Sequence, residues 1–389
     1  MLTPSERQFV QENLATDVAK LLLNPPSTFK DNIQFLVGQI LSRRKAKDKL
    51  PTWFANPNLI LPPPLSVEQS SSETLANYKS TLVSGELLID LTGGMGVDCL
   101  AMSESFDKTI YVEADPYLCT RFDFNSRTLG RAMKVVNQKA ESYLITRDFR
   151  TKPVIFIDPD RRSDTQKMVG FKDCSPDITK FISHLKKVAT HVLVKASPLL
   201  DIKAGIRELD GVKEVHVLSV KNECKEVLFF LDFTREFGEP LIKAVNFLRS
   251  EKEVFEFRFS EEEKAVSNIS DLANYLFLPN ASILKAGAFN SISETYKLPK
   301  IAPNTHLYSG DDLMAGFPGR QFKVLSEKVT PDIIEEYLPQ KQVNVITRNY
   351  PAKPDQILKK NKLREGGELY LIGFRDAEDK PQLVIVERV

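Results

Sequence analysis

The feature that most constrains the fold is an alternation of short apolar, β-rich runs with helical stretches, which begins near residue 85. The runs are "ELLIDL", "TIYVEA", "MKVVNQ", "PVIFID", "HVLVKA", "EVHVLSV" and "EVLFFLDF". Alternation of this kind predicts an α/β domain, with a parallel sheet covered by helices on both faces. The last two runs are joined only by "KNECK", which is too short for a parallel crossover, so we expect them to form an antiparallel hairpin.

The sequence on either side of this α/β region has a different character. The N-terminal part shows helical spacing of apolar residues and ends in a proline-punctuated connector, "PTWFANPNLILPPPL". Further on, residues 253–268 alternate like a hairpin, and the last segment gives strands and helices in the order βαβαβ. We therefore predict four domains: a helical domain at 1–78, the α/β core at 79–235, and small α+β domains at 236–322 and 323–389.

Composition excludes several classes of protein. Hydrophobic residues make up 42% and charged residues 27% of the chain, as in soluble globular proteins. No apolar run approaches the roughly 20 residues of a membrane span, and the start lacks an apolar signal core, so we expect a cytoplasmic protein. The four cysteines and four histidines show no CxxC or HExxH spacing, so no metal is expected. The oligomeric state cannot be deduced from the sequence.

Local charge is uneven, although the formal net charge is only +1. Residues 339–364 hold seven basic side chains against Asp355 alone, which gives 7 − 1 = +6. A basic patch can follow a phosphate backbone even when the whole molecule is nearly neutral. The alternative interpretation is a solvated surface.

A glycine-rich segment, "LLIDLTGGMGVDCLA" at 87–101, lies where the first strand should end and the first helix begin. Ligands bind α/β sheets at such a position. Glycines at 93, 94 and 96 permit positive φ and close backbone approach, while Asp90 suits a cationic amino group better than a phosphate. The GK[ST] of a P-loop is absent, and Cys99 occupies the third glycine position of a dinucleotide fingerprint. The turn therefore favours S-adenosylmethionine, which carries an ammonium and a sulfonium but no phosphate.

The second strand ends in a carboxylate about 20 residues after the glycine turn, the spacing at which nucleotide-binding folds bind the ribose hydroxyls. Glu113 occupies this place in "TIYVEADP", and Asp115 is the neighbouring candidate. Either residue alone could be a surface acid. Their order and spacing relative to the glycines strengthen the prediction of a nucleoside-binding site.

The motifs "IDLTGGMGVD", "VEADP" and "VIFIDPDRR" resemble those of class I S-adenosylmethionine-dependent methyltransferases. Together with "ILKAGAFNSI" and "FPGRQFKV", they resemble in particular the bacterial, Bacteroidetes-type group with a ferredoxin-like and THUMP-like C-terminal region. The resemblance implies a Rossmann-like seven-stranded sheet with an antiparallel hairpin, S-adenosylmethionine as cofactor, and RNA as partner, since THUMP domains elsewhere bind structured RNA. The cofactor-binding residues that it implies are Asp90, Thr92, Gly93, Gly94, Gly96, Asp98, Glu113, Asp115, Ala140 and Asp158.

The chain departs from these relatives after the third strand. Many of them have an aspartate there that holds the adenine amino group, whereas this sequence has Lys139, with Glu141 two residues later. Backbone groups near Ala140 would then hold the adenine.

The fourth strand ends in "FIDPDRR", where related amino-methyltransferases have DPPY or NPPY. In that motif the first side chain and a following carbonyl orient an exocyclic amine towards the methyl group. By this resemblance Asp158 and Pro159 occupy the catalytic place, but the aromatic residue is replaced by Arg161. Arg161 or Arg162 could stack on a base or pair with a phosphate; the alternative is ion pairs with nearby aspartates.

Two further groups of residues could contact the substrate. Lys195 and Ser197 follow the fifth strand at the same sheet edge, although either could belong to a strand-end turn. A basic surface in the C-terminal segment is predicted to bind RNA, either rRNA or tRNA, through Arg348, Lys359, Lys360 and Lys362.

Three interpretations of the function remain open at this stage. The first is a methyltransferase acting on a base nitrogen of structured RNA. The second is a methyltransferase acting on a small molecule or a protein. The third is a cofactor-binding protein that has lost catalysis, which the altered fourth motif and Lys139 make conceivable.

Overall fold

The structure, a computed structural model, describes residues 2–147, 149–161 and 170–389. It divides into two compact units. The first comprises Met1–Lys213 and Leu228–Gly238, and the second comprises Glu214–Val227 and Glu239–Val389. Within the described ranges, no helix combines the length and the apolar character needed to cross a membrane.

The first unit begins with helices, as the spacing of apolar residues predicts. They are α1 (Pro4–Glu12), α2 (Val18–Leu23), α3 (Ile33–Lys49), α4 (Pro51–Ala55), α5 (Pro64–Gln69) and α6 (Glu73–Ser80). Arg43 of α3 is buried and fixes the proline-rich connector. Its guanidinium donates hydrogen bonds to the carbonyl oxygens of Phe54, Asn56, Pro57 and Leu59. This arginine is therefore structural, since its charge is solvated by backbone dipoles.

The α/β part of the first unit follows. Its elements are β1 (Gly85–Asp90), α7 (Val97–Met102), β2 (Phe106–Glu113), α8 (Pro116–Thr128), β3 (Lys134–Asn137), α9 (Ala140–Ile145), β4 (Val154–Ile157), β5 (Asp160–Arg161), β6 (Cys174–Ser175), α10 (Ile182–Val188), β7 (His191–Ala196) and α11 (Ile202–Glu208). Parallel pairing joins β3 to β2, β2 to β1, β1 to β4 and β4 to β7. All four residues of β4 are buried, as expected for a parallel strand covered on both faces.

The predicted hairpin is formed by β8 (Val212–Val220) and β9 (Glu223–Asp232), which are neighbours in the sheet. Lys221 and Asn222 between them both have positive φ, 51° and 63°, the signature of a type I′ turn. The end of β9 then lies beside β7 within the first unit. Strands β1–β4 and β7–β9 are the seven predicted strands and confirm the predicted fold class. The sheet does not end at the hairpin but has nine strands, because β10 (Leu241–Phe247) pairs with β8 and β11 (Lys252–Phe257) pairs with β10.

The second unit continues from this hairpin into two small α+β regions. Its further elements are β10 (Leu241–Phe247), β11 (Lys252–Phe257), α12 (Phe259–Lys264), β12 (Tyr275–Pro279), α13 (Ala281–Ala286), α14 (Asn290–Tyr296), β13 (Lys300–Ala302), β14 (Thr305–Gly310), β15 (Gly319–Ser326), α15 (Pro331–Tyr337), β16 (Asn344–Arg348), α16 (Pro354–Lys360), β17 (Leu369–Arg375) and β18 (Pro381–Arg388). Strands β12–β18 form one sheet in the order β13-β14-β12-β15-β18-β17-β16.

Two details of the second unit differ from the sequence prediction. Residues 253–268 do not form a hairpin by themselves: β11 pairs with the upstream strand β10, and a helix follows. The helix begins there because the Glu261 carboxylate accepts the Arg258 N–H at 2.7 Å and so caps its first turn. The C-terminal βαβαβ order is present as β15-α15-β16-α16-β17, and the unpredicted β18 inserts antiparallel between β15 and β17.

Candidate cofactor and active site

A cavity of about 410 Å³ opens in the first unit at the carboxyl ends of β1, β2 and β4. The glycine turn forms one wall. The other walls come from the end of β2, the start of α9, the segment after β4 and the loop before α6. The residues outside the glycine turn are Ser66, Gln69, Ser70, Ser71, Glu113, Ala114, Leu118, Lys139, Ala140, Glu141, Phe156, Asp158, Asp160, Ser175, Pro176 and Lys195.

Hydrogen bonds connect the ends of β1 and β4. The Asp90 carboxylate accepts the backbone N–H of Thr92 at 3.0 Å, which bends the chain out of β1 into the turn. The Thr92 hydroxyl oxygen in turn accepts the backbone N–H of Asp158 at 2.6 Å. Two predicted cofactor-binding residues therefore also fix the backbone that carries the predicted catalytic aspartate.

Gly94 is the glycine that leaves space in the cavity. Its φ is +52°, its N–H donates to the Glu113 carboxylate at 2.8 Å, and its carbonyl accepts the Tyr111 hydroxyl at 2.6 Å. A methyl group added here would approach only the Thr92 carbonyl oxygen, at 3.8 Å. Both backbone groups of this residue are thus held in place, while the space where a side chain would project stays open.

Gly93 and Gly96 are required for packing. A Cβ added to Gly93 would lie 2.1 Å from the Tyr111 ring, and one added to Gly96 would lie 2.1 Å from the Phe122 ring. These two rings stack with centroids 3.8 Å apart. The three glycines are therefore needed for different reasons. Gly93 and Gly96 leave room for the stacked aromatic pair beneath the turn, and Gly94 keeps the cavity clear.

We predict that Gly96→Ala will lower the free energy of unfolding by about 2–5 kcal/mol, because it combines a steric clash with a left-handed backbone, φ +84°. Urea unfolding would measure this change. Gly130→Ala is the matched control, since Gly130 also has positive φ, +75°, but nothing lies near its Cβ position. Equal losses in the two variants would show that the Phe122 ring yields without cost.

The two acids at the end of β2 have different positions. Glu113 lines the cavity, and its carboxylate accepts the backbone N–H groups of Gly94 at 2.8 Å and of Asp115 at 2.9 Å. Asp115 caps α8 by accepting the Tyr117 N–H at 2.8 Å, and it is not among the described residues that line the cavity. Of the two predicted ribose-binding residues, only Glu113 is among the described residues that line the cavity.

The wall after β3 has mixed charge. Lys139 and Glu141 both line the cavity, with the buried Ala140 between them at the start of α9. This is the segment in which the sequence predicts the adenine contact, and all three of its residues line the cavity.

Carboxylates dominate the cavity floor. Burial raises the pKa of Asp90 well above its usual range, against the opposing Thr92 N–H. Burial also raises the pKa of Asp158, although the Lys195 ammonium opposes the rise. Raised pKa values mean that negative charge is poorly solvated here. A cationic ligand would stabilise these carboxylates in their ionised form.

Lys195 lies at the centre of a chain of alternating charges. Its ammonium forms an ion pair with Asp158 and lies 3.9 Å from the Asp98 carboxylate. Asp98 lies 3.0 Å from the ammonium of Lys79 and accepts the Ser71 hydroxyl at 2.7 Å. Burial would raise the pKa of Asp98, but the two lysines outweigh it and hold that pKa below its ordinary value. Asp98 thus supports Lys195, and through it Asp158.

The sequence interpretation missed Ser71, which lines the cavity, and Lys79, which is not among the lining residues but forms an ion pair with Asp98. Both precede the first strand, and Lys79 is on α6, where a lysine in a polar helix is normally taken for a surface residue. Its side chain is in fact fully buried. No local pattern in the sequence distinguishes it.

We expect Lys79→Met to lower the free energy of unfolding by about 3 kcal/mol at neutral pH, because the buried Asp98 carboxylate loses its ion pair with Lys79. A carboxylate with a lowered folded-state pKa stabilises the protein above its unfolded pKa of about 3.9, and this contribution is lost as the pH falls through the folded-state value. The difference in the free energy of unfolding between wild type and variant should therefore become smaller below about pH 4.

Denaturant unfolding over a pH series would test this. Lys108→Met is the control, since Lys108 is exposed and lies 4.0 Å from Glu86. A deficit for Lys79→Met that does not change with pH would contradict the pairing with Asp98.

The other predicted residues of the first unit are placed as follows. Ser197 accepts the Leu199 N–H through its hydroxyl at 3.2 Å, as in a strand-end turn. Pro159 is buried directly after Asp158. Of Arg161 the structure describes only the backbone, in β5 opposite Cys174. Arg162 lies outside the described residues.

The predicted RNA-binding residues belong to the second unit. Lys359 and Lys360 are exposed at the end of α16, and Lys362 is exposed just after it. Arg348, at the end of β16, is half-buried. Tyr350, two residues after Arg348, packs against Gly373, where an added Cβ would be 3.0 Å from its ring.

Comparison with known proteins agrees with this architecture. A family model described as a ferredoxin-like domain matches residues 275–318, and one described as THUMP domain-like matches residues 319–388. A crystal structure of a candidate methyltransferase from Porphyromonas gingivalis W83 superposes with a TM-score of 0.87 and 26% identity, covering 99% of this chain and 98% of that chain. No curated protein matches the sequence.

Two other solved structures align with part of the chain only. An rRNA methylase from Streptococcus thermophilus has 10% identity and a TM-score of 0.30 over 41% of this chain and 94% of that one. M. capricolum TrmK, in complex with S-adenosylhomocysteine, has 7% identity and a TM-score of 0.33 over 41% of this chain and 68% of that one. The full-length similarity and the two family models confirm the predicted resemblance: the chain has a class I methyltransferase fold followed by ferredoxin-like and THUMP-like regions.

Proposed function

We propose that this chain is an S-adenosylmethionine-dependent methyltransferase that modifies a base nitrogen of structured RNA, either rRNA or tRNA. The observation that carries the proposal is the acidic cavity beside the glycine turn. Asp90, Glu113, Asp158 and Asp160 are grouped there around an open position at Gly94.

The charge of the cavity discriminates between cofactors. NAD and ATP would bring phosphates next to the carboxylates of Asp90 and Asp158, whose negative charge is already poorly solvated. S-adenosylmethionine brings two cationic centres and no phosphate. Glu113, whose carboxylate is held by two backbone N–H groups at the end of β2, would accept the ribose hydroxyls.

The residues of the chain would act mainly by positioning. When bound, S-adenosylmethionine supplies an electrophilic methyl group on its sulfonium. Asp158, whose backbone is fixed by Thr92, would accept a hydrogen bond from the substrate amine and orient its nitrogen. Lys195 holds this carboxylate in place before the substrate arrives, and Asp98 offers Lys195 an alternative partner once Asp158 binds the amine.

The RNA part of the proposal is supported by the C-terminal half. A THUMP-like region follows the catalytic fold, and the exposed Lys359, Lys360 and Lys362 concentrate positive charge at the end of one helix. Exposed lysines attract phosphates largely without sequence preference. These residues would hold the RNA, while the cavity selects the base.

Reversing the charge of Lys359 and Lys360 to glutamate should weaken RNA binding by about tenfold at moderate salt and reduce the salt dependence of binding, because two phosphate contacts are lost. Fluorescence anisotropy with labelled RNA would measure this change. The double variant Lys264→Glu, Lys297→Glu makes the same change in charge on exposed residues elsewhere in the second unit. Equal weakening by both double variants would assign the effect to net charge alone.

The substrate class can be tested with methyl-labelled S-adenosylmethionine and an extract from a strain that lacks this gene. The extract is separated into RNA, protein and small-molecule fractions after the reaction. We expect the label in RNA, and digestion should release a methylated nucleoside that an unlabelled wild-type extract already contains. Label confined to protein or small molecules would refute an RNA substrate.

A further inference from the structure

One wall of the cavity comes from the N-terminal helical region. Ser66 and Gln69 of α5 line the cavity together with Ser70, which directly follows this helix. Their spacing of three and four residues places the three side chains on one face of the helix. We call these three residues the α5 face. None of them is charged, whereas the walls at the strand ends carry several carboxylates.

The α5 face is held against the rest of the first unit at two places. Val67, on another side of α5, is buried in a core cluster together with Ala46 of α3. Directly after the α5 face, the Ser71 hydroxyl donates to the Asp98 carboxylate at 2.7 Å, and its oxygen accepts the Lys195 ammonium at 3.4 Å. The position of this wall is therefore fixed by the protein itself.

Two side chains of the α5 face are free to bind a ligand. Within the part of the chain that the structure describes, neither the Ser66 hydroxyl nor the Gln69 amide forms a hydrogen bond. The Ser70 hydroxyl, in contrast, donates to the Val67 carbonyl at 2.9 Å. A serine hydroxyl and a glutamine amide are both hydrogen-bond donors. The α5 face thus offers the cavity neutral donors that no group of the protein uses.

The order of the strands shows which end of an elongated cofactor would meet the α5 face. This part of the sheet runs β7-β4-β1-β2-β3. Glu113 ends β2 and residues 139–141 follow β3, so the predicted ribose and adenine contacts lie on one side of β1. Lys195, near the end of β7, lies on the other side of β1, and its ammonium reaches Ser71 beside the α5 face. The α5 face is therefore opposite the predicted adenosine contacts.

The end of S-adenosylmethionine opposite its adenine is an amino acid, which carries an ammonium and a carboxylate. The ammonium suits the aspartates of the cavity. The carboxylate would be repelled by the acids at the strand ends and needs hydrogen-bond donors instead. Charge-assisted hydrogen bonds of this kind are stronger than those between neutral groups.

We infer that the α5 face binds the carboxylate of the amino-acid portion of the cofactor, through the Ser66 hydroxyl and the Gln69 amide. The inference rests on the proposed function for the identity of the cofactor. It makes the N-terminal helical region part of the cofactor site, because the predicted core at 79–235 would lack this wall.

The test compares S-adenosylmethionine with decarboxylated S-adenosylmethionine, which lacks only the carboxylate, by calorimetry on the full-length protein. In the double variant Ser66→Ala, Gln69→Ala we expect the affinity for S-adenosylmethionine to fall about tenfold or more, because two hydrogen bonds to a charged group are lost. The affinity for the decarboxylated ligand should not change. The matched control is Ser5→Ala, Gln8→Ala, which makes the same changes at the same spacing on exposed residues of α1 and should affect neither ligand.

The single variant Gln69→Glu gives a second readout, because it adds a negative charge to the α5 face. Its affinity for S-adenosylmethionine should fall about tenfold or more, while the decarboxylated ligand should bind as well as to wild type or more tightly. Equal losses for both ligands, or no loss for either, would overturn the inference and leave S-adenosylmethionine as the cofactor. A wild type that binds neither ligand would overturn the inference together with the proposed cofactor.

Discussion

Asp158→Ala is expected to reduce methyl transfer on the order of 10²-fold or more while S-adenosylmethionine still binds. The carboxylate lies at the end of β4 and its backbone N–H is tied to Thr92, so truncating the side chain removes the acceptor without releasing the loop. Without that acceptor the substrate amine loses its orientation towards the methyl group. Single-turnover transfer and calorimetry on the same preparation would separate the two effects.

Asp158→Asn is the informative companion variant. An amide oxygen can still accept a hydrogen bond from an amine, and Lys195 retains Asp98 at 3.9 Å as a partner for its charge. We therefore expect Asp158→Asn to recover most of the transfer that Asp158→Ala loses. If both variants were as active as wild type, Asp158 would have no steering role; if the asparagine variant were as inactive as the alanine variant, its negative charge would be essential.

Gly94→Val is expected to weaken S-adenosylmethionine binding by at least 10²-fold while the protein stays folded. The position lines the cavity, and an added Cβ finds open space beside the Thr92 carbonyl, so the branched side chain would fill the ligand's place. Forcing a non-glycine residue to φ +52° should cost only about 1–2 kcal/mol of stability.

Calorimetry with S-adenosylmethionine and a thermal scan would test both parts. Gly94→Ala should give an intermediate loss of affinity, since one methyl group occupies less of the cavity. Undiminished affinity in the valine variant would place the cofactor away from the glycine turn.

Much of the fold could be predicted because its signals are local. The seven strands of the α/β core appear as separate apolar runs, and the hairpin follows from the shortness of "KNECK" between two of them. Strand β18 has no comparable signal of position, because its place between β15 and β17 depends on distant partners. Helix α12 was mistaken for a strand because alternating residues 253–257 continue directly into a segment that Glu261 caps as a helix.

The site was predictable to the extent that it follows the carboxyl ends of parallel strands. Asp90, Glu113 and Asp158 come from different strands, and the sheet brings them to one cavity, as the fold requires. The supporting charges could not be predicted. Lys79 reaches Asp98 from a helix that precedes the whole sheet, and only tertiary packing shows that its side chain is buried. The roles of these residues stay predictions until variants are measured.

If the acidic cavity binds a cationic, phosphate-free cofactor, titration calorimetry of the wild-type protein will detect the binding. S-adenosylmethionine, NAD and ATP are titrated in parallel at neutral pH. We expect saturable binding of one S-adenosylmethionine per chain and no measurable binding of the two phosphate-bearing nucleotides. Binding of NAD or ATP with an affinity equal to or above that of S-adenosylmethionine would contradict it.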